Sequence, residues 1–281
     1  NRASRRADFL LVESAWQGRW NRWKYQIAAY PDNPKRNNQK LQRLVQNAKD
    51  RGIPTVFWNK EDGVHFDRFI DSAKLFDHVF TVDESCIPRY KAVMGENASV
   101  HTLMFAVQPR LHQFTGFNFK YNRANFVGSY SQHIHDVRRQ WQNQLFAATA
   151  SSGLGLTVFD RNSARKSNNY RYPNEFAIEV KPALKYGDTA QVYKDYLVSL
   201  NVNTIMDSST MYSRRLVEIL ACGGIAVTTP AVAVDRLFSE FCHVVNTPEE
   251  MYALFTRLKR GPSEDDLARA RAGAEYVAQN H

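Results

Sequence analysis

The residues best suited to chemistry lie between positions 207 and 224. Arg214 and Glu218 are four residues apart in a stretch with helical spacing of apolar residues, which ends at the glycine pair 223–224. On one helix face they would stand about 6 Å apart. An arginine can bind a diphosphate through two N–H groups, and a carboxylate can accept both hydroxyls of a ribose. The spacing therefore predicts a nucleotide along the helix start; an exposed salt bridge between the two is the alternative.

The residues just before this helix favour an anion site. Asp, Ser, Ser and Thr occupy positions 207–210 and are typical helix N-caps. The free N–H groups and the positive dipole end of a helix start attract anions. Apolar runs at 197–202 and 225–229 flank the helix and have the composition of buried strands. Strand, helix and strand in succession form the unit of a parallel sheet, which binds ligands at the carboxyl ends of its strands.

The rest of the chain continues this alternation in two series. Residues 110–123 are polar and aromatic without a period and are interpreted as a linker. We predict an α/β protein of two Rossmann-like, doubly wound domains, 1–112 and 113–281, facing a cleft suited to a two-substrate transfer. The predicted strands cover residues 9–12, 54–58, 78–82 and 100–105 in the first domain and residues 124–127, 156–159, 178–181, 197–202, 225–229 and 243–245 in the second.

Composition narrows the class of partner. The chain has 281 residues and a formal net charge of +9, which favours anionic partners. The basic residues form no single tract with interleaved aromatics, so nucleic acid is not an expected partner. The three cysteines show no paired spacing and indicate a reduced, cytoplasmic protein, and no apolar run reaches the ~20 residues of a membrane span. The opening residues 1–6 begin without Met and suggest a piece of a longer polypeptide.

Three residues just past predicted strand ends are candidate general bases. Glu13, Asp62 and His65 could each deprotonate an acceptor hydroxyl if the transfer inverts configuration. Helix capping or a surface charge is the alternative for each. Trp16, Trp20 and Trp23 could stack on acceptor sugars, or pack in a core. His133 and His135 fall short of a three- or four-ligand metal set, so no metal site is predicted.

The motif helix resembles a family pattern. It is similar to the nucleotide-sugar motif of glycosyltransferases with the GT-B fold, and more narrowly to the spore-maturation-protein-like, CgeB-type branch. Residues 54–65, 76–81 and the crossover 105–109 also resemble such proteins, so the likeness covers most of the chain. The matching motif residues are Ser208, Thr210, Arg214, Arg215, Glu218, Ala221, Cys222 and Gly223.

The resemblance implies a division of labour between the domains. The second domain would hold the donor, with Glu218 on the ribose and Arg214 on the diphosphate. N–H groups near Ser209 and Thr210 would assist, and Arg215 belongs to the same donor-binding motif. The first domain would hold the acceptor. The loop after the second domain's first strand would lie on the phosphate side and consists of Gly128, Ser129 and Tyr130.

The function implied is metal-independent transfer of a sugar from a nucleoside-diphosphate sugar, with a UDP-type donor, to a hydroxyl of a glycan or lipid-linked acceptor. The expected setting is bacterial cell-surface glycan synthesis in the cytoplasm, with possible peripheral contact with the membrane's inner face. Many relatives carry Glu eight residues before the ribose-binding Glu, where this chain has Thr210. The alternative is a non-catalytic, GT-B-like module that binds a nucleotide or glycan within a larger protein.

Overall fold

The computed structural model describes residues 7–281, so the opening residues 1–6, from which a longer polypeptide is predicted, lie outside the described residues. The described chain forms two compact units. The first ends at Phe105 and also includes Ser208–Met211. The second consists of Ala106–Asp207 and Tyr212–His281. The change of unit after Phe105 falls within the crossover segment 105–109.

The first unit is a four-stranded parallel sheet with helices packed on it. The strand order is β1-β2-β3-β4, in chain order. Its core joins alternate strand residues such as Phe57 and Val79 to the apolar faces of the helices. Residues 14–38, between β1 and α1, contain a single 3-10 turn. The elements are β1 Leu10–Glu13, α1 Gln39–Asp50, β2 Thr55–Asn59, α2 Phe66–Ala73, β3 His78–Thr81, α3 Ile87–Met94 and β4 Ser99–Thr102.

The second unit is a six-stranded parallel sheet in the order β10-β9-β8-β5-β6-β7. Its central strand β8 is buried along its whole length, as expected for a parallel strand covered on both faces. The elements are β5 Tyr121–Gly128, α4 Asp136–Ser151, β6 Leu156–Asp160, β7 Ile178–Pro182, α5 Thr189–Asp195, β8 Tyr196–Asn201, α6 Arg214–Ala221, β9 Ile225–Thr228, α7 Val232–Leu237, β10 His243–Val244, α8 Pro248–Leu258 and α9 Glu264–Asn280.

The predicted α/β class and all ten predicted strands are confirmed. The start of the motif helix is different from the prediction. The N-cap candidates at 207–210 do not cap it, because the helix begins at Arg214 with Ser213 in the cap position. Ser208 accepts hydrogen bonds from the N–H groups of Thr210 and Met211, which holds this stretch in a turn of its own.

Candidate donor site

The order of strands in the second unit marks where a ligand would bind. β5 lies between β8 and β6, so the chain leaves the centre of the sheet in opposite directions on its two sides. Such a reversal opens a crevice beyond the carboxyl ends of the two central strands. Gly128 ends β5 and Asn201 ends β8, and both therefore lie at this crevice.

Close packing requires glycine at position 128. A Cβ there would lie 2.5 Å from the ring of Phe126 and 3.0 Å from Nη2 of Arg215. The next residue, Ser129, turns its carbonyl toward Arg138, which donates to it at 3.4 Å. Tyr130 is buried, and its hydroxyl donates to Asn143 at 2.8 Å. Of the predicted phosphate loop, then, Gly128 and Ser129 line the sheet edge, whereas the side chain of Tyr130 packs inward.

Arg215 joins the ends of the two central strands. Its Nε donates to the carbonyl of Val127 at 2.6 Å, and its Nη1 donates to Oδ1 of Asn201 at 3.3 Å. Both acceptors are neutral, so the guanidinium keeps its full charge. Burial lowers the pKa of Arg215, and Arg161 lowers it further. The motif arginine is therefore fixed at the crevice by the sheet itself.

A second arginine from α4 reinforces this charge. Burial lowers the pKa of Arg138 to about 10, and the nearby Arg215 and Arg161 contribute to the shift. Arg161 follows β6, and its N–H donates to the carbonyl of Gly128 at 2.8 Å. Arg138 donates to the carbonyl of Ser129 and to the amide oxygen of Gln142, and within residues 7–281 no carboxylate forms an ion pair with it.

Neighbouring polar groups leave this charge uncompensated. The hydroxyl of Tyr172 is buried without a hydrogen-bond partner and interacts electrostatically with Arg138 and Arg215. The carboxylate of Asp160 accepts from the N–H of Asn162 at 2.8 Å, and burial raises its pKa. Cations held close together without acids favour an anion with several oxygens. We call Arg138, Arg161 and Arg215 the arginine cluster.

Glu218 lies on the same helix as Arg215 and is 5% exposed. Nε of Arg214 lies 3.0 Å from its Oε1, within ion-pair distance. The same oxygen nevertheless accepts no hydrogen bond, because the donor is poorly aligned, and we therefore treat the contact as electrostatic only. The carboxylate thus has a buried oxygen available to a hydroxyl donor. The predicted pairing of the two residues is present, but on a buried carboxylate and not on a solvated face.

Two aromatic side chains surround Glu218. Burial, together with the nearby carboxylate of Glu218, raises the pKa of Tyr186. The guanidinium of Arg214 lies 5.3 Å from the centre of the Tyr186 ring. His112 packs edge-on against the same ring at 5.4 Å, is 2% exposed, and has no partner for its Nδ1. Its pKa is lowered by burial, although Glu218 acts in the opposite direction.

Ser209 and Thr210 belong to the first unit. Oγ1 of Thr210 donates to the carbonyl of Val82 at 3.1 Å and accepts from the N–H of Glu84 at 2.9 Å. The hydroxyl of Ser209 donates to the carboxylate of Glu84. The helix-start N–H groups are therefore those of Arg214 and its neighbour, and the predicted help from Ser209 and Thr210 is not placed there.

The three candidate bases all lie in the first unit. Glu13 is exposed at the end of β1 and pairs with Lys60. His65 is partly buried 5.0 Å from the ring of Trp16, and burial lowers its pKa. Asp62 is fully buried, and burial raises its pKa to about 7.

Asp62 is enclosed by its hydrogen-bond partners. Its two carboxylate oxygens accept from the amide of Asn59 at 2.6 Å and from the hydroxyl of Tyr90 at 2.8 Å. A carboxyl enclosed in this way cannot contact an acceptor substrate, so its position fits a structural role.

Sequence reasoning missed several members of the site. Tyr186 and His112 are distant in sequence from the motif and carry no pattern of their own. Arg138 allows two interpretations from sequence, a diphosphate contact or an exposed helix face, and the structure shows it half-buried at Ser129. Arg161 lies just after a predicted strand, and this position could have identified it from the sequence as a residue of the ligand-binding sheet edge.

The described residues contain neither a helix that could span a membrane nor a group of metal ligands. No helix within residues 7–281 combines the length and the apolar character that a bilayer crossing needs. In the same part of the chain, no three His, Cys, Asp or Glu side chains are grouped as ligands for a metal ion.

Comparison with known proteins identifies a family and a fold. A family profile described as glycosyl transferase-like matches residues 138–281. No curated protein matches the sequence. HepE from Anabaena, solved with UDP and glucose, has a TM-score of 0.57 and 11% identity over 86% of this chain and 72% of its own. BGT of phage T4, solved with UDP and Mn²⁺, has a TM-score of 0.55 and 14% identity over 97% of this chain and 81% of its own.

A third structure is considerably longer than this chain. TarM has a TM-score of 0.51 and 9% identity over 81% of this chain. The match covers 47% of TarM, so the chain spans about half its length. At such identities the likeness establishes the fold alone, which is that of GT-B glycosyltransferases.

Proposed function

The chain belongs to the glycosyl transferase-like family, and from this premise we propose that it transfers a sugar from a nucleoside-diphosphate sugar to a hydroxyl acceptor. The proposal rests mainly on two side chains of one helix, α6. Arg215 adds to an uncompensated cluster of cations, and Glu218, three residues on, keeps a buried oxygen without a donor. A diphosphate supplies the missing negative charge, and a ribose supplies the missing hydroxyl donors.

Each part of the donor has a partner of matching chemistry. The diphosphate lies against the arginine cluster at the carboxyl end of β5. The ribose hydroxyls donate to Glu218. The base lies against Tyr186, a residue that is 45% exposed. The neighbouring structures solved with UDP support a UDP-type donor, and the assigned contacts suit the diphosphate and ribose of such a donor.

Arginines also supply the charge that a metal would otherwise provide. Guanidinium groups stabilise the negative charge that develops on a departing diphosphate. We therefore propose transfer without a divalent metal, although BGT was solved with Mn²⁺. The rate is expected to be unchanged by EDTA and by added Mn²⁺. A rate that depends on Mn²⁺ would contradict this part of the proposal.

The acceptor side is assigned to the first unit. Glu13 and His65 are the proposed candidates for activating an acceptor hydroxyl, because both reach solvent while Asp62 does not. A glycan or lipid-linked acceptor, membership of the CgeB-type branch and a role in cell-surface glycan synthesis stay predictions.

Calorimetry with UDP, GDP and dTDP tests the donor site. A hydrogen bond to a charged group contributes about 1.5–3 kcal/mol, so Glu218→Gln is expected to weaken UDP binding by about 10- to 100-fold. Glu240→Gln, an equal change of charge at an exposed carboxylate, is the matched control and is expected to bind UDP normally. Equal affinity in Glu218→Gln and the control would remove the assignment.

Donor hydrolysis separates an enzyme from a binding module. Slow release of free sugar from a nucleoside-diphosphate sugar supports transfer, with water as the acceptor. Tight UDP binding without turnover of any UDP-, GDP- or dTDP-sugar tested would favour the non-catalytic module instead.

A further inference from the structure

The segment that runs from the loop after β1 into the first turns of α1 is strongly basic. Residues 17–43 contain one acidic residue, Asp32, and seven basic residues. Six of the seven are exposed, and the seventh is partly buried. The basic residues are Arg19, Arg22, Lys24, Lys35, Arg36, Lys40 and Arg43.

Aromatic rings arrange these cations. Trp20 is 68% exposed and has the guanidinium carbons of Arg19 and Arg22 at 4.2 and 5.0 Å from its ring centre. Lys40 lies 4.4 Å from the ring centre of Trp23, and its ammonium donates to the carbonyl of Arg22 at 3.0 Å. This contact joins the start of α1 to the loop.

A second group of rings continues the same surface. The guanidinium carbon of Arg36 lies 4.0 Å from the ring centre of Tyr25 and 5.5 Å from that of Tyr30. Lys24 also lies over Tyr25, at 5.0 Å. Tyr30 in turn contacts the ring of Trp16. We call this set the cation–aromatic surface. It consists of Arg19, Trp20, Arg22, Trp23, Lys24, Tyr25, Tyr30, Arg36 and Lys40.

Its charges are unneutralised. In the part of the chain that the structure describes, none of its five cations forms an ion pair with a carboxylate. A guanidinium that stacks on a ring keeps its N–H edge free, and that edge binds phosphate, sulfate or carboxylate groups. The backbone of Trp20, Asn21 and Tyr25 is held in the left-handed region, at φ of 56°, 60° and 64°. Residues other than glycine rarely adopt that region, and such strain is often found where ligands bind.

The surface adjoins the candidate bases. The loop leaves the carboxyl end of β1 directly after Glu13. Ser14 accepts from the N–H of Lys60 at 2.8 Å, and Trp16 packs against His65. A ligand on the surface would therefore extend to the sheet edge of the first unit.

The composition of the surface favours one kind of occupant. Trp20 is the single exposed large apolar side chain among residues 14–43, and two guanidinium groups lie over its ring, so little bare apolar area is left there for a bilayer. Cations stand over that ring, which hinders stacking of a nucleobase. We propose that the cation–aromatic surface binds an anionic glycan, a sugar chain bearing phosphate, sulfate or carboxylate groups, and that this glycan is the acceptor. Its role as acceptor rests on the proposed function, whereas its binding does not.

Titration with a matched pair of polymers tests the binding. The probes are dextran sulfate and uncharged dextran of equal length, followed by tryptophan fluorescence at several salt concentrations. The parent protein is expected to bind dextran sulfate with strong salt dependence and not to bind dextran. Arg19→Gln/Arg22→Gln is expected to weaken binding at least tenfold. The control, Arg51→Gln/Lys91→Gln, removes the same charge elsewhere in the first unit and is expected to change affinity less than twofold.

Several results would overturn the inference. They are no binding of dextran sulfate, an equal loss in the control variant, or tighter binding of phosphatidylglycerol vesicles or duplex DNA. The single variants Arg19→Gln and Arg22→Gln are measured as well. They test the inference even if the double variant does not fold. UDP affinity is measured in parallel. If the parent protein binds UDP but not dextran sulfate, this inference alone is contradicted. If the parent binds dextran sulfate but not UDP, the donor site alone is contradicted.

Discussion

Replacing Arg138 should make the empty protein more stable and the nucleotide complex weaker. Burial and neighbouring arginines lower its pKa from 12.5 to about 10. At about 1.4 kcal/mol per tenfold change, keeping it charged costs folding about 3 kcal/mol. A base with a depressed pKa carries this cost at every pH below about 10, and the cost is relieved as pH rises from there toward 12.5. At neutral pH the cost is therefore fully present.

Arg138→Gln removes that cost but also removes two long hydrogen bonds, at 3.3 and 3.4 Å. If each contributes about 0.5 kcal/mol, the net gain is about 2 kcal/mol, or a rise in Tm of about 4–8 °C. Saturating UDP should raise the Tm of the parent, since a ligand at 100 times its Kd adds about 2.7 kcal/mol. The rise should be smaller in the variant, because one cation facing the diphosphate is lost.

Thermal unfolding with and without UDP measures both effects. Arg139→Gln is the matched control, one residue along the same helix, where Arg139 pairs with Asp136 at 2.7 Å. Because that arginine already has an acid, its removal should lower Tm slightly and leave the UDP effect intact. Our reasoning is refuted if Arg138→Gln also lowers Tm and responds to UDP as the parent does.

Three further predictions concern stability. Gly128→Ala should lower the free energy of unfolding in urea by about 1–3 kcal/mol, because the new Cβ would lie 2.5 Å from a phenylalanine ring. Gly187→Ala is the control and should change it little, because the space around that position is open. Equal effects of the two substitutions would contradict the packing argument. Asp266→Asn should cost about 1.5–3 kcal/mol at pH 7, because it removes the charge of a buried carboxylate that pairs with the half-exposed Arg257 at 2.6 Å. It should also remove stability that the parent loses as pH falls below about 4, and an unchanged acid limb in thermal scans would count against it. The pKa of Asp62 is raised to about 7, so the free energy of unfolding should fall as pH rises from about 4 to 7. Asp62→Asn should make the free energy of unfolding, measured by urea titration, less dependent on pH in this range. A pH dependence equal to the parent's would show that this carboxyl does not titrate there.

Much of the fold follows from local pattern. The strands are short runs rich in apolar residues, and ten of them are recognisable in order along the chain, although β1 and β7 are only partly buried. The helices between them have apolar faces, as in α1, where Leu41, Val45 and Ala48 are buried. A glycine pair correctly marks the end of α6. The start of that helix is less certain from sequence, because several cap residues precede it and the contacts of Thr210 with Val82 and Glu84 decide the turn.

The sequence by itself determined that Arg214 and Glu218 stand on one helix after a buried strand, because the periods of helix and strand are local properties. Only the tertiary structure decided that Arg138, from another helix, joins Arg215 at the end of β5, and that Tyr186 meets Glu218. Burial and charge compensation depend on neighbours brought together from distant parts of the chain. The same spacing would suit a solvated salt bridge. Packing instead leaves Arg138 and Arg215 without a carboxylate in ion-pair contact and leaves one buried oxygen of Glu218 without a hydrogen bond.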